Sequence, residues 1–222
     1  MARFDRLEVW NEILRIGLIP IFYHPNLEVA KRVVAACRSG GATVVEYTNR
    51  GDNAYRVFSD LAAHFAEADP SLILGAGSVI DPATAALYIN SGASFVVGSV
   101  WNPEVARLCN RRKVAYIPGC ATPTEISQAE ELGAEIIKVF PAAAVGPGFV
   151  KAVHRPTPWT KLMPTGIEAT EATIRTWFEA GVAAVAIGSA LVRKDWVEAG
   201  DYAAIAAKTA EVLDWIASVR RT

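Results

Sequence analysis

Cysteine is scarce in this sequence: 222 residues carry three, Cys37, Cys109 and Cys120. An odd, scattered set with no CxxC spacing excludes a disulfide framework and fits a reducing, cytoplasmic setting. Net charge is nearly absent, because 22 Lys and Arg against 23 Asp and Glu leave −1. That balance removes the electrostatic case for nucleic acid or an anionic membrane as partner. No apolar run approaches the roughly 18 residues of a membrane span, and the opening MARFDRLEVW is too charged for a signal peptide. His24, His64 and His154 are far apart and show no metal-ligand spacing. A serine hydrolase is unsupported, since no GxSxG elbow occurs. With no low-complexity stretch and no Pro/Gly/Ser linker, one domain over residues 1–222 without metal or cofactor is expected.

What the chain does have is apolar mass, 52% of its residues, and a repeated unit. SGGATVVEYT, NSGASFVVGS, ELGAEIIKVF and EAGVAAVAIG each close an amphipathic segment with glycine and then enter an apolar run. Glycine suits the left-handed position just past a helix, and the short run after it reads as a buried parallel strand. GLIPIFY, LILGAGSV, AYIPGC and KLMPTG add further runs, giving eight strand candidates that start near Gly17, Thr43, Leu72, Phe95, Ala115, Ile136, Lys161 and Ala184. Helical segments alternate with them, opened by Asn26, Asp81–Pro82, Asn102–Pro103 and Thr122–Pro123 as cap signals. This alternation predicts an α/β fold, a single (β/α)8 TIM barrel, with an open doubly wound sheet as the alternative. The segment FDRLEVWNEILRIG predicts an extra N-terminal helix, within residues 1–16, closing the barrel floor.

Lys138 interrupts the apolar run AEIIKVFPAAA. Lysine is rarely fully buried, because desolvating an unpaired ammonium is costly. A closed barrel has no sheet edge, so the reading of Lys138 as an edge lysine loses its basis. Two readings remain: a stem snorkelling from the strand end, or a desolvated amine kept for covalent chemistry at the C-terminal rim. In TVVEYTNRGD, strand periodicity puts Glu46, Thr48 and Arg50 on one face and Val45 and Tyr47 on the other. Glu46 and Arg50 would lie about 13 Å apart along the strand, which favours separate roles over an ion pair. The glycines of LILGAGSV leave room for a ligand or for close backbone approach. GAGSVIDP lacks the later glycine of a dinucleotide fingerprint. MPTG and AIGSALV close the last two strands, where barrels often bind phosphate, so Gly166, Gly188 and Ser189 are candidates for that grip. His24 follows the first strand within reach of the barrel mouth. Cys120 ends the fifth with no activating base nearby and reads as packing.

Taken in order, EYTNRG, LGAGSV, YIPGCATPTEI, IIKVFPA and MPTG resemble the 2-keto-3-deoxy-6-phosphogluconate and 4-hydroxy-2-oxoglutarate aldolase family, from about Gly17 to Val192. The resemblance implies a metal-free class I aldolase in a (β/α)8 barrel, usually a homotrimer, that cleaves a 2-keto-4-hydroxy acid to pyruvate and an aldehyde. By position it makes Lys138 the Schiff-base lysine and Glu46 the general acid/base, acting partly through a water. Arg50 would hold the pyruvate carboxylate, with Ser78 nearby in place of a more usual threonine and Phe140 in the pocket. Thr165, Gly166, Gly188 and Ser189 would line the distal, often phosphate-bearing, end. Two departures stand out. PTGIEAT is one glycine short of the family's Pro-Thr-Gly-Gly, which predicts a weakened phosphate grip, and VVGSVWNPE replaces the usual Ser-Pro after the fourth strand.

The chemistry requires an amine that is largely neutral near pH 7, and burial near Ile136 and Phe140 with Arg50 close by supplies the means. Two other readings compete: a phosphate-binding barrel isomerase or synthase, and a non-catalytic barrel that senses a small molecule.

Overall fold

Side-chain caps start the helices where the sequence marks them. Asn26 accepts from the Val29 amide (3.1 Å), Asp81 from Thr84 (2.8 Å) ahead of Pro82, and Asn102 from Glu104 (2.8 Å) ahead of Pro103. Thr122 and Glu125 form a reciprocal capping box around Pro123. Each cap satisfies amides that the first helical turn leaves without a partner. Gly41, Gly92, Gly133 and Gly181 all adopt positive φ, a region that a Cβ disfavours, and each is followed by a strand.

The structure, a computed structural model, describes residues 3–221. Its strands are β1 (Leu18–Phe22), β2 (Val44–Thr48), β3 (Ile73–Gly77), β4 (Phe95–Val97), β5 (Ala115–Ile117), β6 (Gly119–Cys120), β7 (Ile137–Val139), β8 (Leu162–Pro164) and β9 (Val185–Ile187). The helices are α1 (Arg6–Ile16), α2 (Leu27–Ser39), α3 (Ala54–Ala68), α4 (Pro82–Asn90), α5 (Pro103–Arg112), α6 (Pro123–Glu131), α7 (Ala142–His154), α8 (Glu171–Glu179), α9 (Lys194–Ala199) and α10 (Tyr202–Arg220). Every strand is buried along its whole length, as parallel strands covered on both faces must be. The N-terminal helix is present: Asp5 caps α1, which buries Val9, Trp10, Ile13 and Ile16. Among the described residues no helix is long and apolar enough to cross a membrane.

The fold is α/β with a curled parallel sheet. Six strands run in the order β5-β4-β3-β2-β1-β9, so the last strand of the chain lies beside the first, and β6-β7-β8 form a second sheet. Eight uninterrupted strands in one ladder, as the sequence suggests, are not what the hydrogen bonding gives. The fifth candidate, AYIPGC, is split into β5 and β6 at Pro118, which has no N–H to donate. Its carbonyl still accepts from the Lys138 amide (2.9 Å). Between β8 and β9 the pairing thins to the Thr165–Ala186 bridge and the Ala183 amide donating to Leu162 O (2.9 Å).

Helix α10 returns across the molecule to pack on α2 and α8. Its approach to α2 is set by Gly40, where an added Cβ would stand 2.4 Å from Ala206 O and 2.6 Å from Thr209 Cβ. Gly40 has φ −75°, which alanine adopts freely, so the constraint is space and not backbone strain. Gly40→Ala should therefore destabilise by overpacking, about 1–3 kcal/mol. A urea melt should show a lower midpoint at unchanged slope.

Candidate active site

Strand β2 sorts its side chains by alternation. Tyr47 points to the helix layer, its ring 5.4 Å from that of Phe22 and 6.0 Å from that of Phe58 on α3. Its hydroxyl donates to His24 O (3.1 Å). Glu46 and Thr48 take the opposite face by strand periodicity. Glu46 lies between Ile21 of β1 and Gly75 of β3 in register. Its carboxylate rests over Gly77: an added Cβ there would lie 1.7 Å from Glu46 Oε1. Gly75 makes the same kind of room for the Phe95 ring, 2.4 Å from where its Cβ would be. The space left by the β3 glycines is thus occupied by the protein's own side chains. Close approach, not an open ligand slot, explains these two residues.

Lys138 sits in β7 between Gly119 of β6 and Met163 of β8. It is 5% exposed and Glu46 1%. The lysine Nζ lies 4.9 Å from the centroid of the Phe140 ring, and Glu46 Oε2 has no hydrogen-bond partner. Burial holds the Lys138 amine below its ordinary value; the Glu46 carboxylate opposes this and Arg50 adds to it. Burial holds the Glu46 carboxyl above its ordinary value, against the pull of Lys138 and Arg50. Both groups are driven toward their neutral forms, an amine and a carboxylic acid, which is the pairing that nucleophilic and acid/base chemistry needs. Nearby Cys120 does not share this character, since burial pushes its thiol up to about 12.

Beyond this pair a cavity of about 590 Å³ opens to solvent. Of the residues singled out in the sequence, Arg50, Phe140, Thr165, Gly166, Gly188 and Ser189 line it, and so does His24. Thr165 is 7% exposed, and its Oγ1 is buried without a hydrogen-bond partner, an unsatisfied hydroxyl in a residue of the cavity wall. Ser78 falls outside this wall: it is half-buried in the turn after β3, at φ 59°. The wall also includes Ile167, which stands where the family's second glycine is missing, and Tyr23, Glu168, Lys194 and Glu198, which the sequence does not single out. Glu168 and Ile167 lie within PTGIEAT, and the signal was the displaced glycine itself. Lys194 and Glu198 belong to α9, a six-residue helix too short for periodicity to reveal. Among the described residues no three His, Cys, Asp or Glu side chains gather as a metal-ligating group.

Comparison with known proteins agrees with this arrangement. The family profile "Aldolase: KDPG and KHG aldolase" matches residues 9–208. A 2-dehydro-3-deoxy-phosphogluconate aldolase of Pseudomonas aeruginosa is 33% identical over 84% of this chain and 83% of its own. The corresponding enzyme of Haemophilus influenzae is 27% identical over 94% of this chain and 97% of its own. Among solved structures, a KDPG aldolase from Legionella pneumophila, with pyruvate captured as a covalent carbinolamine intermediate, superposes with a TM-score of 0.80 at 27% identity. That match covers 90% of this chain and 96% of the other. The chain belongs to the KDPG and KHG aldolase family and is an aldolase, a carbon–carbon lyase.

Proposed function

We propose that the protein cleaves a 2-keto-4-hydroxy acid to pyruvate and an aldehyde through an imine on Lys138. The observation that carries this reading is the burial of Lys138 and Glu46, each driven toward its neutral form, next to Thr48 and Phe140 of the cavity wall, which neither of the two lines itself. Lys138 Nζ adds to the C2 ketone, and Glu46, as the acid, gives its proton to the departing hydroxyl, so that water leaves and a protonated imine remains. Glu46, as its carboxylate at this stage, takes the proton from the C4 hydroxyl. The C3–C4 bond breaks, its electron pair enters the iminium as an enamine, and the aldehyde departs. Glu46 returns a proton to C3, and water then releases pyruvate and restores the amine.

Arg50 is the guanidinium on the cavity wall and is assigned the substrate carboxylate, where a planar bidentate donor fits. Phe140 sets its ring 4.9 Å from Lys138 Nζ and is assigned an apolar wall beside the imine. Thr165, Gly166, Gly188 and Ser189 are assigned the distal end of the substrate, and Ser78 a supporting role outside the wall. No metal or organic cofactor enters this scheme.

We further read the two sheets as one closed (β/α)8 barrel and residues 1–222 as one domain. The Lys138 amide's bond to Pro118 O, between β5 and β6, and the β8–β9 bonds support this. We also propose a cytoplasmic homotrimer. Ile80 and Val100, in the loops after β3 and β4, are 53% and 51% exposed, and a subunit contact would cover such apolar side chains.

Borohydride with pyruvate should trap one covalent adduct, and peptide mapping should place it on Lys138. Label on Lys151 or Lys161 would refute the assignment. Lys138→Met keeps the length of a neutral side chain without an imine-forming amine, so turnover should vanish while the circular dichroism spectrum is kept.

Glu46→Gln should still form the imine but slow cleavage by roughly 10²–10⁴-fold, the range for a lost general acid/base. Gly77→Ala should reproduce part of that loss by evicting the carboxylate from its seat. A fully active Gly77→Ala variant would mean that the seat does not matter.

The rate of adduct formation should also carry the signature of a depressed lysine. An ordinary amine at 10.5 gains neutral fraction about tenfold per pH unit throughout the neutral range. Because burial lowers Lys138, its profile should level off below that value. Stopped quench assays from pH 6 to 10 will read it, and a rise continuing to pH 10 would contradict the buried-amine assignment.

A further inference from the structure

The distal end of the cavity differs in charge from a phosphate grip. The cavity wall carries two carboxylates, Glu168 and Glu198, and two cations, Arg50 and Lys194. Lys194 lies 3.5 Å from Glu198 in an ion pair; the wall's other cation, Arg50, is assigned the substrate carboxylate, and Glu168 stands in no ion pair among the described residues. Tyr23 and His24 also line the cavity, and the Asn26 amide donates to His24 Nδ1 (3.1 Å). The residue after Gly166 is Ile167, buried at 8% exposure, so a branched apolar side chain stands beside the glycine. Thr165, next to Gly166, carries a buried hydroxyl without a partner.

A neighbouring cavity shares Glu168, Ser189, Ala190 and Lys194 with the first, and it offers no substitute grip. Arg193 there is bidentate to Asp195 (3.0 and 2.7 Å), and Lys208 is held by Glu211. Their charges are already matched.

We infer that the distal subsite selects a neutral, hydroxylated tail, so that the preferred substrate is an unphosphorylated 2-keto-3-deoxy sugar acid. Glu168 is the specificity-determining residue: it accepts from tail hydroxyls and repels a terminal phosphate or carboxylate. Tyr23 and Ser189, whose hydroxyls can donate and accept, supply the matching neutral contacts from the same wall. This rests on the aldolase reading above and names the substrate class of that same site.

The test compares kcat/KM for 2-keto-3-deoxygluconate, its 6-phosphate and 4-hydroxy-2-oxoglutarate on the wild-type enzyme and on Glu168→Gln. The wild type should favour the neutral tail by about tenfold or more, the scale of one unfavourable charge contact at a partly solvated site. Glu168→Gln should narrow that ratio about tenfold, through a lower KM for the two anionic-tail substrates. Raising the salt concentration should lower the wild-type KM for those two substrates, because screening weakens repulsion. A higher wild-type kcat/KM for the 6-phosphate than for the unphosphorylated acid would overturn the inference. So would a Glu168→Gln variant with an unchanged ratio. Pyruvate trapping on the wild type separates the two levels: an adduct on Lys138 with phosphate preferred sinks only this inference, whereas no adduct sinks the aldolase reading itself.

Discussion

Two ionisable side chains share one dry interior, and most of the architecture follows from having to tolerate them. Glu46 and Lys138 come from different sheets, β2 and β7, and each loses its hydration on folding. For the lysine, burial means that the unfolded chain binds more protons than the native one just below the ordinary lysine value. That contribution opposes folding at neutral pH and fades as pH rises toward 10.5. For the glutamate the native state binds more protons just above the ordinary carboxyl value of 4.5, and the penalty fades as pH falls toward it. The apolar strands, buried from end to end, supply the stability against which these two groups are carried. Stability is given up where the chemistry is done.

Much of this was legible before any coordinates. Asn26, Asp81, Asn102 and Thr122 cap helices because short polar side chains ahead of a helix have few better options. The alternation in VVEYT separates Glu46 from Tyr47 because a strand has a period of two. The buried Lys138 was visible because a lone lysine in a β-branched run conflicts with its surroundings. What stayed hidden has physical reasons too. Pro118 divides a strand whose apolar pattern is continuous, since periodicity registers side chains and not missing amides. Helix α7 was not foreseen, because Gly146 leaves the helical region inside it, at φ 69°, just before Pro147. The β3 glycines looked like space for a ligand, yet the side chains that fill them come from β2 and β4, and that pairing exists only in three dimensions.

The site divides into two parts with different supports. The reacting pair stands on strands, each fixed by neighbours on both sides. The distal wall stands on the loop after β8 and on α9, whose residues include no buried side chain. Substitution in the second part disturbs little of the core. A change of tail preference is therefore compatible with an unchanged bond-breaking step, and the departures in PTGIEAT fall on the tolerant side of that division.

The seat of Glu46 over Gly77 has a stereochemical consequence. The carboxyl is held against β3, so it meets a substrate anchored on Lys138 from one side. In the proposed reaction the enamine carbon then receives its proton on a single face. A methyl group assembled there from three hydrogen isotopes would be chiral. The handedness of that product would be set by the absence of one methyl group from one strand.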